Sequence, residues 1–244
     1  MYIVGDVHGD GERLVSLLTT HGIISITDGT VRWIARDTIL LFMGDVLDAS
    51  SRRGEFGNMV FQGTVSDMWI LELLRVLNSE AASMGNTLLC ILGNHEVMNM
   101  RGQFDYVSPH HNRNPATRKE YFGAGGAGRS IIESMFQTSI KYNGNLYSHA
   151  GIPLEADASV RRIVGVRVRG RFMDELDSED VAHFTSHRDY MKPATRELNR
   201  DIAKICREHG VERMVIGHNN MSDTHIARFD GRVVFTDVGL SRAF

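Results

Sequence analysis

The chain has 244 residues, 42% of them apolar and 23% charged, with a formal net charge of −3 and only two cysteines. This is the composition of a globular chain that can bury a sizeable core without cross-links, and it rules out a disulfide scaffold. The near-neutral charge gives no electrostatic reason to expect nucleic acid or an anionic membrane as a partner. No basic leader and no long apolar run occurs, so neither a secretory signal nor a membrane span is expected. Cys90 lies in an apolar run and is expected to be buried; a reducing, cytoplasmic setting fits both thiols.

Short apolar runs alternate with amphipathic ones along the chain. Residues 1–4 read as a strand, and 10–21 as a helix with Leu14, Leu17 and Leu18 on one face. Residues 31–35 and 38–43 read as strands, with Arg36-Asp37 as a hairpin turn between them. A long amphipathic helix is expected over 65–84, and a buried strand over 87–92. Residues 102–127 are rich in Gly, Asn, His and Arg and lack periodicity; this stretch reads as a loop-rich insertion (about 102–128) lying over a site. A short helix follows at 130–137. Residues 139–142 and 145–149 read as a hairpin around Asn143-Gly144. A helix over 193–209 ends at Gly210, and strands at 213–216, 225–229 and 232–237 finish the chain, with Asp230-Gly231 as a turn. The reading is one α/β domain over 1–244, two sheets packed face to face with helices outside.

Ligand-type residues cluster directly after the apolar strands. Gly5-Asp6-Val7-His8-Gly9 follows the first, Gly44-Asp45-Val46-Leu47-Asp48 the 38–43 strand, and Gly93-Asn94-His95-Glu96 the 87–92 strand. His149-Ala150-Gly151 and Gly217-His218-Asn219 end two later strands. Strand carboxyl ends are where α/β proteins build sites. Asp6 and His8 at i, i+2 face one side in extended backbone. Any one cluster is turn chemistry of an ordinary kind; five together point to two divalent cations, which can clamp the attacking and leaving oxygens of a phosphoryl transfer. The mixed nitrogen and oxygen donors suit manganese, iron or zinc better than calcium. His21, His183, His187 and His209 lack this context and read as surface or helix-terminal. His110 and His111 read either as substrate contacts or as solvated residues.

The order GDVHG, GDVLD, GNHE, SHAG, GH resembles the signature of the PPP phosphoprotein phosphatases within the calcineurin-like metallophosphoesterases, and spans residues 5–218. The stretch GNHEVMN at 93–99 is similar to the bacterial-type, Shewanella-like group. The resemblance implies a two-sheet metallophosphoesterase sandwich. It implies one metal on Asp6, His8 and Asp45, and a second on Asp45, Asn94, His149 and His218, with manganese first among the candidate ions. It further implies a phosphomonoesterase, acting on phosphoproteins or small phosphoesters, that works through a metal-bridging hydroxide. His95 would be the general acid and Asp48 its orienting partner.

One position departs from that pattern. The second motif of the family ends in a phosphate-binding arginine, where this chain has Ala49. Arg52 and Arg53 follow out of register, and Arg169 before Gly170 is similar to the family's other phosphate-binding arginine; all three are candidates, because the guanidinium fork suits phosphate. Competing readings are a dinucleoside polyphosphate hydrolase, which GNHE disfavours, and a scaffold that has lost its chemistry, which the filled ligand positions disfavour. A monomer is the expected state.

Overall fold

The computed structural model describes residues 1–48, 67–108, 114–168, 178–221 and 226–240. Strand β1 (Tyr2–Val4) runs into helix α1 (Gly11–Thr20), which Asp10 caps by accepting the N–H of Arg13. A hairpin of β2 (Ile24–Thr27) and β3 (Thr30–Trp33) comes next, then β4 (Ile39–Phe42), helix α2 (Trp69–Ser83) and β5 (Thr87–Ile91). Helices α3 (Asn94–Met100), α4 (Pro115–Phe122) and α5 (Ala127–Met135) precede β6 (Phe136–Gln137) and the hairpin β7 (Ser139–Tyr142) and β8 (Asn145–Ser148). Helices α6 (Ala158–Arg162) and α7 (Ser178–Ser186), a 3-10 turn at Asp189–Met191 and helix α8 (Arg196–Glu208), then β9 (Arg213–Ile216), β10 (Ala227–Arg228) and β11 (Val233–Phe235), complete the described elements.

The first sheet has the order β1-β4-β5-β6, all parallel, and the second β10-β11-β9-β8-β7, in which β8, β9 and β11 are parallel. Alternation along the strands explains the layering. Leu41, Met43 and Ile91 of the first sheet share a buried cluster with Tyr147 and Val215 of the second, which is the layer between the sheets. Leu40, Phe42, Leu88 and Cys90 point the other way and join Leu73, Leu74 and Leu77 of α2. Leu146, Met214 and Ile216 likewise join Leu198, Ile202 and Ile205 of α8. The expected two-sheet sandwich with outer helices is therefore present.

Several local expectations need correction. Residues 31–35 and 38–43 do not form a hairpin: β3 pairs with β2 around Asp28-Gly29, whereas β4 is parallel to β1. Asp-Gly is the stronger hairpin signal, both residues here adopt left-handed backbone, and the turn places Trp33 opposite Ile24. The 102–128 stretch contains α4, whose start carries Asn114 as N-cap and Pro115 in the first turn. The helix expected at 130–137 begins and ends earlier, because Phe136 and Gln137 pair with β5. The strand expected at 225–229 is only two residues long within the described part. His187 directly follows α7 and is buried there, and His21 and His209 likewise sit at helix ends. Cys90 and Cys206 are both buried and unpaired.

Candidate active site

The carboxyl ends of β1, β4 and β5 in one sheet, and of β8 and β9 in the other, bring Asp6, His8, Asp45, Asn94, His95, His149 and His218 together. The backbone bends hard to do so. His8, Asp45, Asp48 and His218 all have positive φ, between 44° and 63°. That region disfavours side-chain-bearing residues and is tolerated where surrounding contacts enforce it. Gly93 is required for close approach, since a Cβ there would lie on the Asp45 carboxylate and backbone. Gly217 is similarly packed over Asp6.

Asp45 is at the centre. Its Oδ1 accepts the N–H of His95 at 3.0 Å. Its Oδ2 faces three imidazole Nε2 atoms, those of His149 at 3.2 Å, His95 at 3.8 Å and His8 at 3.9 Å. Among the described residues, two three-residue groups have ligand atoms close enough to hold an ion, namely His8, Asp45 and His95, and Asp45, His149 and His218, so Asp45 is common to both. The first group takes in His95, which the sequence assigns to proton transfer, and does not include Asp6. Asp6 Oδ2 accepts the N–H of His218 at 2.9 Å, while its Oδ1 is buried with no hydrogen-bond partner among the described residues. A buried carboxylate oxygen left without a donor fits a cation.

The ring orientations fit ligand duty as well. His149 Nδ1 is 2.7 Å from the Met43 carbonyl, and His218 Nε2 is 2.9 Å from the Ser186 carbonyl. Each carbonyl accepts a hydrogen bond from that ring N–H, which leaves His149 Nε2 and His218 Nδ1 as the nitrogens that can offer lone pairs to a metal. Asn94 Oδ1 lies 3.1 Å from His149 Nε2.

Charge crowding perturbs these groups. Burial raises Asp6 well above the usual carboxylate range, helped by Asp237 and Asp45. Burial opposes ionisation of Asp45 too, but His149 and His95 overcome it and hold it well below its usual range. Burial also works against a charged His149, yet Asp45 and Asp6 push it up to about 10. Burial lowers His8 to about 4, and burial with the neighbouring His149 lowers His218 to about 3.

His95 stands apart in its partnering. Its Nδ1 is 2.7 Å from Asp48 Oδ2, and Asp48 is fully buried. Desolvation disfavours its charge, but Asp45 and Asp48 outweigh that and raise it to about 9. His95 lines a cavity of about 660 Å³, whose wall also carries Met98, Arg101, Tyr106 and Arg188. The Tyr106 ring meets the His95 ring edge-on, with centroids 5.4 Å apart. Arg52, Arg53, Arg169, Ala49, His110 and His111 lie outside the described residues. Sequence reasoning missed Asp237, which lines the cavity, and Arg118, Asp67 and Asn99, which surround Asp48.

The chain matches the calcineurin-like phosphoesterase family over residues 1–222. It belongs to that family. It is 36% identical over 105 residues to Shewanella-like protein phosphatase 2 of Arabidopsis thaliana, covering 43% of this chain and 22% of that protein. It is 22% identical over 258 residues to Shewanella-like protein phosphatase 1 of Plasmodium berghei, covering 98% of this chain and 66% of that protein. The cold-active protein-tyrosine phosphatase of a psychrophilic Shewanella species has the same fold, with a TM-score of 0.71 and 24% identity over 98% of this chain and 70% of that one. The chain thus spans two thirds or less of the two curated relatives. As a member of the family it is a metal-dependent phosphoesterase, and the donor set at Asp45 accommodates the divalent cations that the family implies. No helix among the described residues is long and apolar enough to cross a membrane.

Proposed function

We propose that the chain is a phosphomonoesterase acting on phosphoproteins, with His95 as proton donor to the leaving group. The observation that carries this reading is the buried Asp48–His95 pair set beside two cation-capable groups that share Asp45. Asp6, His8 and Asp45 would hold one divalent cation, and Asp45, Asn94, His149 and His218 the other; manganese, iron or zinc suits this set. When bound, the cations supply Lewis acidity toward the phosphate and a more acidic water.

The rest is done by the side chains of this chain. A water oxygen forms the new bond to phosphorus, one of its protons passing to solvent, and the ester P–O bond breaks. His95 Nε2 gives its proton to the departing alkoxide or phenoxide. Asp48 accepts the hydrogen bond from Nδ1, which fixes the ring and favours the protonated form. Arg101 and Arg188 on the cavity wall, together with Arg52, Arg53 and Arg169, are the candidates for holding the phosphate. The aromatic edge of Tyr106 beside His95 favours an aryl leaving group such as phosphotyrosine, in line with the Shewanella neighbour's being a protein-tyrosine phosphatase. A monomer in the cytoplasm remains part of this proposal.

The test is turnover of p-nitrophenyl phosphate and of phosphotyrosine, phosphoserine and dinucleoside polyphosphate substrates after manganese is supplied. Hydrolysis of the phosphopeptides is expected. No turnover by protein shown to hold two metal ions would sink the enzyme reading, and preference for dinucleoside polyphosphates would sink the substrate assignment.

A further inference from the structure

Arg118 projects from α4 into the protein, and only 1% of it is exposed. Its Nε donates to Asn99 Oδ1 at 2.7 Å, its Nη1 to Asp67 Oδ1 at 2.7 Å, and its Nη2 to Asp67 Oδ2 at 3.0 Å. Nη2 also donates to Asp48 Oδ1 at 2.7 Å. Asn99 Nδ2 donates to the same Asp48 oxygen at 2.9 Å and to the His95 carbonyl at 2.8 Å. Asp67 Oδ2 in turn accepts the Asp48 N–H at 2.6 Å. Asp48 is therefore held at its backbone and at Oδ1, which leaves Oδ2 for His95. The Phe104 and Phe122 rings lie 5.8 Å and 5.3 Å from the guanidinium carbon.

A clamp serving only the fold would need no more than the forked Arg118–Asp67 pair. The third arm, to Asp48, leads to the proton donor.

We propose that Arg118 is a positioning residue that aims Asp48, and through Asp48 aims His95, for proton delivery to the leaving group. The segment between 102 and 128 thereby contributes to catalysis through α4 and is not only a cover over the site. This rests on His95 being the acid.

The experiment compares phenyl phosphate, a poor leaving group, with 2,4-dinitrophenyl phosphate, a good one, on manganese-supplied enzyme. The variants are His95→Asn, Arg118→Lys, Asp67→Asn and the Arg118→Lys/His95→Asn double. Arg118→Lys keeps the charge but loses the fork. It should lower kcat on phenyl phosphate about tenfold or more and on the dinitrophenyl ester less than about twofold, at unchanged KM and metal content. It should cost nothing further in the His95→Asn background. The downfield Nδ1 proton of His95 in metal-free protein, identified by its loss in His95→Asn, should move in Arg118→Lys. Equal losses on both esters, a further loss in the double variant, or an unmoved resonance overturns the proposal. If neither Arg118→Lys nor Asp67→Asn melts cooperatively, the cluster serves the fold and the proposal also falls. If His95→Asn itself loses both esters equally, the acid assignment is what fails.

Discussion

The Glu96 carboxylate accepts the backbone N–H of Asp45 at 2.9 Å, and with it those of Val46 at 3.0 Å, Leu47 at 3.3 Å and Gly93 at 3.0 Å. One side chain in the first turn of α3 thus holds the loop that carries both Asp45 and Asp48 in its strained course. The Glu of GNHE acts from behind the site. Glu96→Gln should replace an acceptor oxygen with an NH₂ that faces N–H donors, destabilising the protein by about 3 kcal/mol. Urea unfolding would measure it. Metal content should fall in step, because Asp45 is no longer held. A stable variant with full metal content would refute this role.

Asp45 and His95 separate in a metal assay. Asp45→Asn removes the one carboxylate shared by both cation-capable groups and should strip most of the metal. His95→Asn should leave metal content near that of the parent while turnover on poor leaving groups falls by about a hundredfold or more. Because His95 is also in reach of the first group, its loss of metal would make it a ligand instead. Elemental analysis of both purified variants decides.

Much of this site was legible in the sequence because strands bury with a period of two and end abruptly. Glycine-bracketed Asp, Asn and His at five such ends could be read without coordinates. The Arg118–Asp67–Asp48 arrangement could not, since neither Arg118 nor Asp67 stands in a glycine-bracketed cluster at a strand end. Helix α4 itself carries little amphipathic pattern, because one of its two inward residues, Arg118 and Phe122, is an arginine. Asn114-Pro115 was the available signal for it. The β2–β3 hairpin was obscured because 31–35 has the same strand character whichever neighbour it pairs with; only the stronger Asp28-Gly29 turn distinguishes them.

Activity should fall as pH rises through the titration of His95. Its pKa is raised to about 9 from an ordinary 6.5, since Asp45 and Asp48 outweigh desolvation. The donor is charged below that value and spent above it. Asp48→Asn removes the partner on Nδ1, so the alkaline limb of kcat on phenyl phosphate should move down by about one unit or more. A pH profile that keeps its alkaline limb in Asp48→Asn would show that Asp48 does not hold the proton.

Metal binding should itself be pH-dependent, through His149. Burial disfavours its charged form, but Asp45 and Asp6 raise it to about 10, so the metal-free protein carries a proton on this ring at neutral pH. Nδ1 faces the Met43 carbonyl, so the proton that must leave for a cation to bind is the one on Nε2. Raising the pH removes this competitor. Manganese affinity should therefore increase from pH 6 to pH 8, with proton release on binding that calorimetry in buffers of different ionisation enthalpy would detect. His149→Gln should bind more weakly, with a smaller proton release. The same proton release in His149→Gln as in the parent would place the competing proton elsewhere.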